Sequence, residues 1–198
     1  MSGTNPRPAL RDTLGLRCRP TPLRGGGVSG CHRADSPFYA GLMEGCESET
    51  RSVSASVTVS VSPAEVFDLL RRPKRHGEFD GSGTVKSVVA GPEVLEEGST
   101  FTMSMHMGLL YRIRNRVVEF EADRRIAWRH FGKHRWRYEL EEVEAGCRVT
   151  ETFDYSAGPL WFYCRANIPI RNLASIEATL QRLAAILTTA NDGDNSRE

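Results

Sequence analysis

From residue 53 the chain alternates. Val53, Ala55, Val57, Val59 and Val61 are apolar, and Ser54, Ser56, Thr58 and Ser60 stand between them. A period of two places one set on each face of a half-buried β-strand. Near the C-terminus the period changes: Leu173, Ile176, Leu180, Leu183 and Leu187 recur at steps of three and four. That spacing lines one side of an α-helix, predicted over 172–190, whose apolar stripe must be buried. Glu177, Gln181 and Arg182 lie off the stripe, and Thr188, Thr189, Asn191 and Asp192 lower helix propensity and mark its end.

Between these elements the pattern is mostly strand. Ser62, Pro63 and Glu65 supply a hydroxyl N-cap, a proline at the first helical position and a capping-box carboxylate. The helix they start has Val66, Phe67, Leu69 and Leu70 on its apolar side and stops at Pro73, which has no N–H to continue the ladder. A short helical turn is predicted over 75–79, followed by the loop Asp80, Gly81, Ser82 and Gly83. Six more strands are predicted at 84–90, 99–107, 110–121, 125–131, 134–143 and 147–155, separated by turn residues such as Gly91-Pro92, Gly108, Ala122-Asp123 and Gly132-Lys133. Short turns favour an antiparallel meander. The expected architecture is α+β: a seven-stranded antiparallel curved sheet wrapped around one long C-terminal helix, with two short helices after the first strand and a pocket between sheet and helix.

The Ser62-Pro63 helix start, the segment from Arg75-His76 to Asp80-Gly81-Ser82-Gly83, the strand Arg125-Ile126-Ala127-Trp128 and the strand from Gly146 to Val149-Thr150-Glu151-Thr152 resemble polyketide cyclase/dehydrase-like proteins of actinobacterial type. These belong to the SRPBCC, or START-like, superfamily with the Bet v 1-like helix-grip fold. The resemblance runs over about residues 53–187 and rests more on the order of elements than on any one motif. It implies an apolar ligand, polyketide- or lipid-like, in the pocket. It names no reaction, since some members are cyclases or hydratases and none of the motifs is a catalytic signature; the readings left open are a carrier, a cyclase or dehydratase, and a regulatory interaction module with a vestigial pocket.

Alternation identifies the side chains aimed at the pocket. Phe101, Met103, Met105 and Met107 share a face, as do Tyr111, Ile113, Asn115 and Val117, then Ile126, Trp128 and His130, then His134, Trp136, Tyr138 and Leu140, and finally Val149, Glu151, Phe153 and Tyr155. Phe101, Met103, Met105, Tyr111, Ile113, Trp128, Trp136, Tyr138, Phe153 and Tyr155, with Ile176 and Leu180 from the helix, form the expected ligand wall. Glu151 is the sharpest chemical feature, a carboxylate on an apolar face. Burial without a cation raises a carboxyl pKa toward neutrality, as a general acid or base requires. Glu151 with His130 or Asn115 is therefore the candidate catalytic group for aldol cyclisation or dehydration, set against a plain structural role at a bulge or an ion pair. Asp80 to Gly83 is a candidate lid, with a fixed turn as its alternative. Trp161, Phe162 and Tyr163 are read as a pocket rim in preference to a membrane or partner contact. Arg112, Arg114 and Arg116 are read as a solvated face that protects an edge.

Composition narrows the reading. A formal net charge of +1, with charges interspersed, gives no bulk argument for nucleic acid or an anionic membrane, and no apolar run has the length of a membrane span. Five cysteines without paired spacing indicate neither a zinc site nor a disulfide framework, so no metal and no cofactor is expected, in a reducing, cytoplasmic setting. A monomer or homodimer is expected. Residues 1–50 are rich in Gly, Pro, Ser and Arg and are expected to be a disordered extension, with Met43 as the preferred start of translation. The ligand-binding domain is assigned to 51–190 and a short disordered tail to 191–198.

Overall fold

The computed structural model describes residues 51–194, with side chains to residue 189. The expected disordered extension over 1–50, the start at Met43 and residues 195–198 of the expected tail lie outside the described residues.

The first strand, β1 (Ser52–Val59), carries the predicted alternation, and its valines turn toward the core. Helix α1 (Pro63–Leu70) starts as its sequence dictates. Ser62 Oγ accepts from the Glu65 N–H at 3.3 Å, and Glu65 Oε2 accepts from the Ser62 N–H at 2.9 Å. Two orphan donors of the first turn are thus satisfied, a cap of about 1 kcal/mol. A 3₁₀ turn at Pro73–Arg75 leads into the one-turn helix α2 (His76–Phe79).

Six strands follow: β2 (Val85–Ala90), β3 (Thr100–Met107), β4 (Leu109–Glu121), β5 (Arg125–Arg129), β6 (Arg135–Val143) and β7 (Gly146–Asp154). Each is within about two residues of its predicted bounds. All pair antiparallel in the order β1-β7-β6-β5-β4-β3-β2, an open curved sheet with β1 and β2 at its edges. A helix α3 (Leu160–Arg165) occupies the apolar stretch after β7, and α4 (Ile168–Asp194) is longer than predicted at both ends.

Ile176, Leu180, Leu183 and Leu187 are buried, and the helix lies against β1, β7 and α2. Helix α1 covers β5, β6 and β7 on the same inner face. This is the helix-grip arrangement the sequence predicted. Two details depart from strict alternation. Met107 is 60% exposed, because β3 runs on past the covering helices. In β4 a bulge between Val117 and Glu119 inserts one residue, so Val117 and Phe120 both face inward and Glu119 faces out. There Glu119 accepts from Arg135 and Arg137, and the Arg137 hydrogen bond holds its carboxyl below the ordinary range. Cys147 is a buried free thiol.

Candidate functional site

The strand register builds the inner wall. Glu151 on β7 stands opposite Tyr138 on β6, and Tyr138 stands opposite Ile126 on β5. One step further along, Phe153, Trp136 and Trp128 form the next cross-strand row. Phe101, Met103, Ile113, Trp128, Tyr138, Phe153 and Tyr155 are buried, as are Ile176 and Leu180 from α4. Met105, Tyr111 and Trp136 are partly buried at the margin.

Glu151 is 3% exposed, and its Oε2 has no hydrogen-bond partner. Burial raises its pKa from the ordinary 4.5 to about 8, against the opposing pull of a hydrogen bond from Tyr138. The carboxyl is therefore mostly protonated at neutral pH. Tyr138 is itself pushed well above the ordinary phenol range, by burial first and then by Glu151.

His76 completes the wall, and sequence reading did not select it. It is buried, and its Nε2 donates to the Leu70 carbonyl at 2.7 Å, which leaves Nδ1 as the acceptor. Its ring stacks on Trp128 with centroids 4.9 Å apart, and Trp128 lies 5.5 Å from Tyr138. Burial lowers its pKa to about 4, so it is neutral at pH 7. The usable signal was the spacing of His76 and Phe79, which puts both on the apolar side of one turn.

The grouping of Glu151 with His130 or Asn115 does not form. His130 lies four residues along the strand direction from Ile126, the residue in Glu151's row, which is about 13 Å of extended chain. Asn115, opposite Phe101, shares with His130 the lining of a separate groove of about 300 Å³ that also includes Thr100, Arg114, Arg116, Arg129 and Phe131. Three side chains at the β5–β6 turn interlock. His134 Nδ1 donates to the Tyr163 hydroxyl at 2.7 Å, and that hydroxyl donates to the Gly132 carbonyl at 3.0 Å. His130 and His134 pack edge to face at 4.2 Å. Burial lowers both, with His134 at about 4.

The loop from Asp80 to Gly83 is fastened. The Gly81 N–H donates to Thr179 Oγ1 at 2.8 Å, and Arg182 donates to the Asp80 carbonyl. The Asp80 carboxylate accepts from the N–H groups of Ser82 and Val85 at 3.1 and 3.0 Å. A Cβ on Gly81 would overlap the α4 backbone at Ser175 and Thr179. Glycine serves here for close approach and not for hinge freedom, so the expected lid is a latch between the loop and α4. The Asp80 charge reaches Glu151, Tyr138 and His76, which puts the latch beside the inner wall.

The profile of a family described as "Polyketide cyclase / dehydrase and lipid transport" matches residues 50–188. Over 139 residues, 67% of this chain, the sequence is 42% identical to the uncharacterized protein Rv0088 of Mycobacterium tuberculosis strain H37Rv. The match takes in 62% of that relative, so the chain spans less than two thirds of its length. The fold is similar to that of protein NE0264 from Nitrosomonas europaea, with a TM-score of 0.58 at 14% identity over 73% of this chain and 98% of that one. It is also similar to the Polyketide_cyc-like protein Cgl2372 from Corynebacterium glutamicum, with a TM-score of 0.51 at 20% identity over 76% and 98% of the two chains. At these identities the likeness is one of fold. With the profile matched across the whole sheet and into α4, the chain belongs to the polyketide cyclase / dehydrase and lipid transport family.

Proposed function

We propose that the protein binds an apolar small molecule, polyketide- or lipid-like, between the inner face of the sheet and α4, in a carrying or sequestering role. The observation that supports this most directly is the partnerless Oε2 of Glu151 within an aromatic wall. A buried polar atom without a partner costs about 1–3 kcal/mol, and a ligand carbonyl or hydroxyl would recover it. The body of such a ligand would lie against Trp128, Met103 and Phe153. Native mass spectrometry of protein from its own host, with titration of a fluorescent long-chain acyl probe, tests the reading. A co-purified apolar mass and saturable one-to-one binding are expected. Absence of both would refute it.

A second reading is supported by the neutral carboxyl. Glu151 would act as a general acid toward a bound carbonyl compound in cyclisation or dehydration, with Tyr138 opposite it in the register in place of His130 or Asn115. Glu151→Gln keeps the shape and removes the titration. Binding retained with turnover abolished would favour the enzyme, and binding retained with no turnover in either protein would favour the carrier.

A further inference from the structure

Three connections emerge at the same end of the sheet, because β3, β5 and β7 all run toward it. They are the β3–β4 turn, the β5–β6 turn and the segment that leads from β7 into α3. In the first, Gly108 at φ +79° reverses the chain between Met107 and Leu109. The register carries this hairpin well past the level at which β5 ends, since Thr100, Arg116 and Arg129 share a row and seven residues of β3 follow it. Met107, Leu109 and Leu110 sit at its tip, Phe131 on the second connection, and Trp161 and Phe162 in the first turn of α3, just beyond the third. These six are exposed by between 48% at Phe162 and 85% at Phe131. Among the described residues, Val89 is the remaining large apolar side chain of comparable exposure.

Charge at this end is weighted toward cations, since its carboxylates are already engaged: Asp154 meets Arg135, and Asp80 accepts from the N–H groups of its own loop. Residues 99–118, 124–138 and 155–176 contain no Asp or Glu. Arg114, Arg116 and Arg129 converge with Phe131 on one groove, and with Arg112 they make no ion pair among the described residues. Other arginines of the sheet are matched: Arg135, opposite Arg129, meets Asp154 and Glu119, and Arg148 at the far end of β7 meets Glu141. A chain of net charge +1 thus gathers unmatched cations where it also presents its apolar tips.

We propose that this end docks on a membrane surface rich in anionic lipid. Leucine, methionine and aromatic side chains on two turns and the start of α3 suit the boundary between headgroups and acyl chains, and the arginines behind them reach phosphate. Tryptophan is favoured at that depth. Apolar residues spread over three separate elements suit a deformable headgroup layer better than the single shaped patch a protein partner needs. Docking leaves the protein on the surface, since no helix of the described residues is long and apolar enough to cross a membrane. The inference is independent of the ligand reading, because none of these side chains belongs to the wall around Glu151.

Co-sedimentation of the full chain with phosphatidylcholine vesicles, with and without phosphatidylglycerol, tests it. Binding is expected to favour the anionic vesicles roughly tenfold or more and to weaken as salt rises. Leu109→Ser with Leu110→Ser should lower it roughly tenfold without moving the thermal midpoint, as both side chains are exposed. Arg112→Gln with Arg114→Gln should abolish the anionic preference. Trp161 emission should be quenched by brominated lipid, a signal that Trp161→Phe removes. Vesicle binding unchanged in both double variants would assign it to the basic residues of 1–50 and overturn the proposal. So would no vesicle binding alongside retention on a polyanion column, the behaviour of an acidic-protein or nucleic-acid partner.

Discussion

Tyr138 and Glu151 face one another across the β6–β7 register, and the hydrogen bond between them leaves Glu151 Oε2 without a partner. The pair fixes a pH signature. Below pH 4.5 Glu151 holds its proton folded or unfolded; from there to about 8 only the folded state does. Stability therefore falls as pH rises through that window, by a few kcal/mol in all. Urea unfolding at several pH values should show this fall in the parent protein and a flatter profile in Glu151→Gln. An equal slope in both would place the carboxyl in water.

Histidine works in the opposite direction. His76 and His134 are each lowered to about 4 by burial, so each favours the folded state above pH 6.5 and that contribution is lost as pH falls toward 4. Acid unfolding should begin in this window, and His134→Gln should remove part of it. His76→Phe should do the same, but at pH 7 it should cost about 1–3 kcal/mol by leaving the Leu70 carbonyl without its donor. Paired thermal scans at pH 7 and pH 5 would separate the two effects.

The latch is tested by adding one methyl group. Gly81→Ala drives a Cβ into the backbone of α4 at Ser175 and Thr179, which cannot yield as a side-chain end would. A loss of about 1–3 kcal/mol is expected, with faster amide exchange in both the loop and the facing turn of α4. Thr179→Val keeps the volume and removes only the bond to the Gly81 N–H, so about 0.5–1.5 kcal/mol is expected there. A mobile lid would leave both variants as stable as the parent.

Helix α4 is held by its stripe. Leu183 is fully buried, and Leu183→Ala should cost about 2–5 kcal/mol in chemical denaturation. Gln181→Ala on the exposed side should change stability by less than about 0.5 kcal/mol.

Strand order and the face each side chain takes were legible because they depend on neighbours two residues apart. Phe101, Trp128, Tyr138, Glu151 and Phe153 all turn inward as their alternation predicts. What alternation cannot convey is distance along a sheet. Glu151 and His130 share a face, which alternation alone reads as proximity, yet the register shows them to be two rows apart. His76 lies on a single helical turn, too short for any period to mark, and its role depends on the Leu70 carbonyl that α1 brings beneath it. The Gly81 contact spans 98 residues of sequence, and a Gly-Ser-Gly run reads as freedom until the helix it touches is in position. Unmatched arginines, likewise, are recognised only once the partners of the others are known.

The extra residue in β4 between Val117 and Glu119 has a bearing on how the protein tolerates change. Removing Val118 would leave Val117 and Phe120 two positions apart, both still aimed at the interior, and Glu119 still on the outside among Arg125, Arg135 and Arg137. The strand therefore carries a spare link at this point. A one-residue deletion here would straighten the sheet without turning its pattern inside out, whereas the same deletion in β7, whose pairing is unbroken from Gly146 to Asp154, would invert every side chain beyond it.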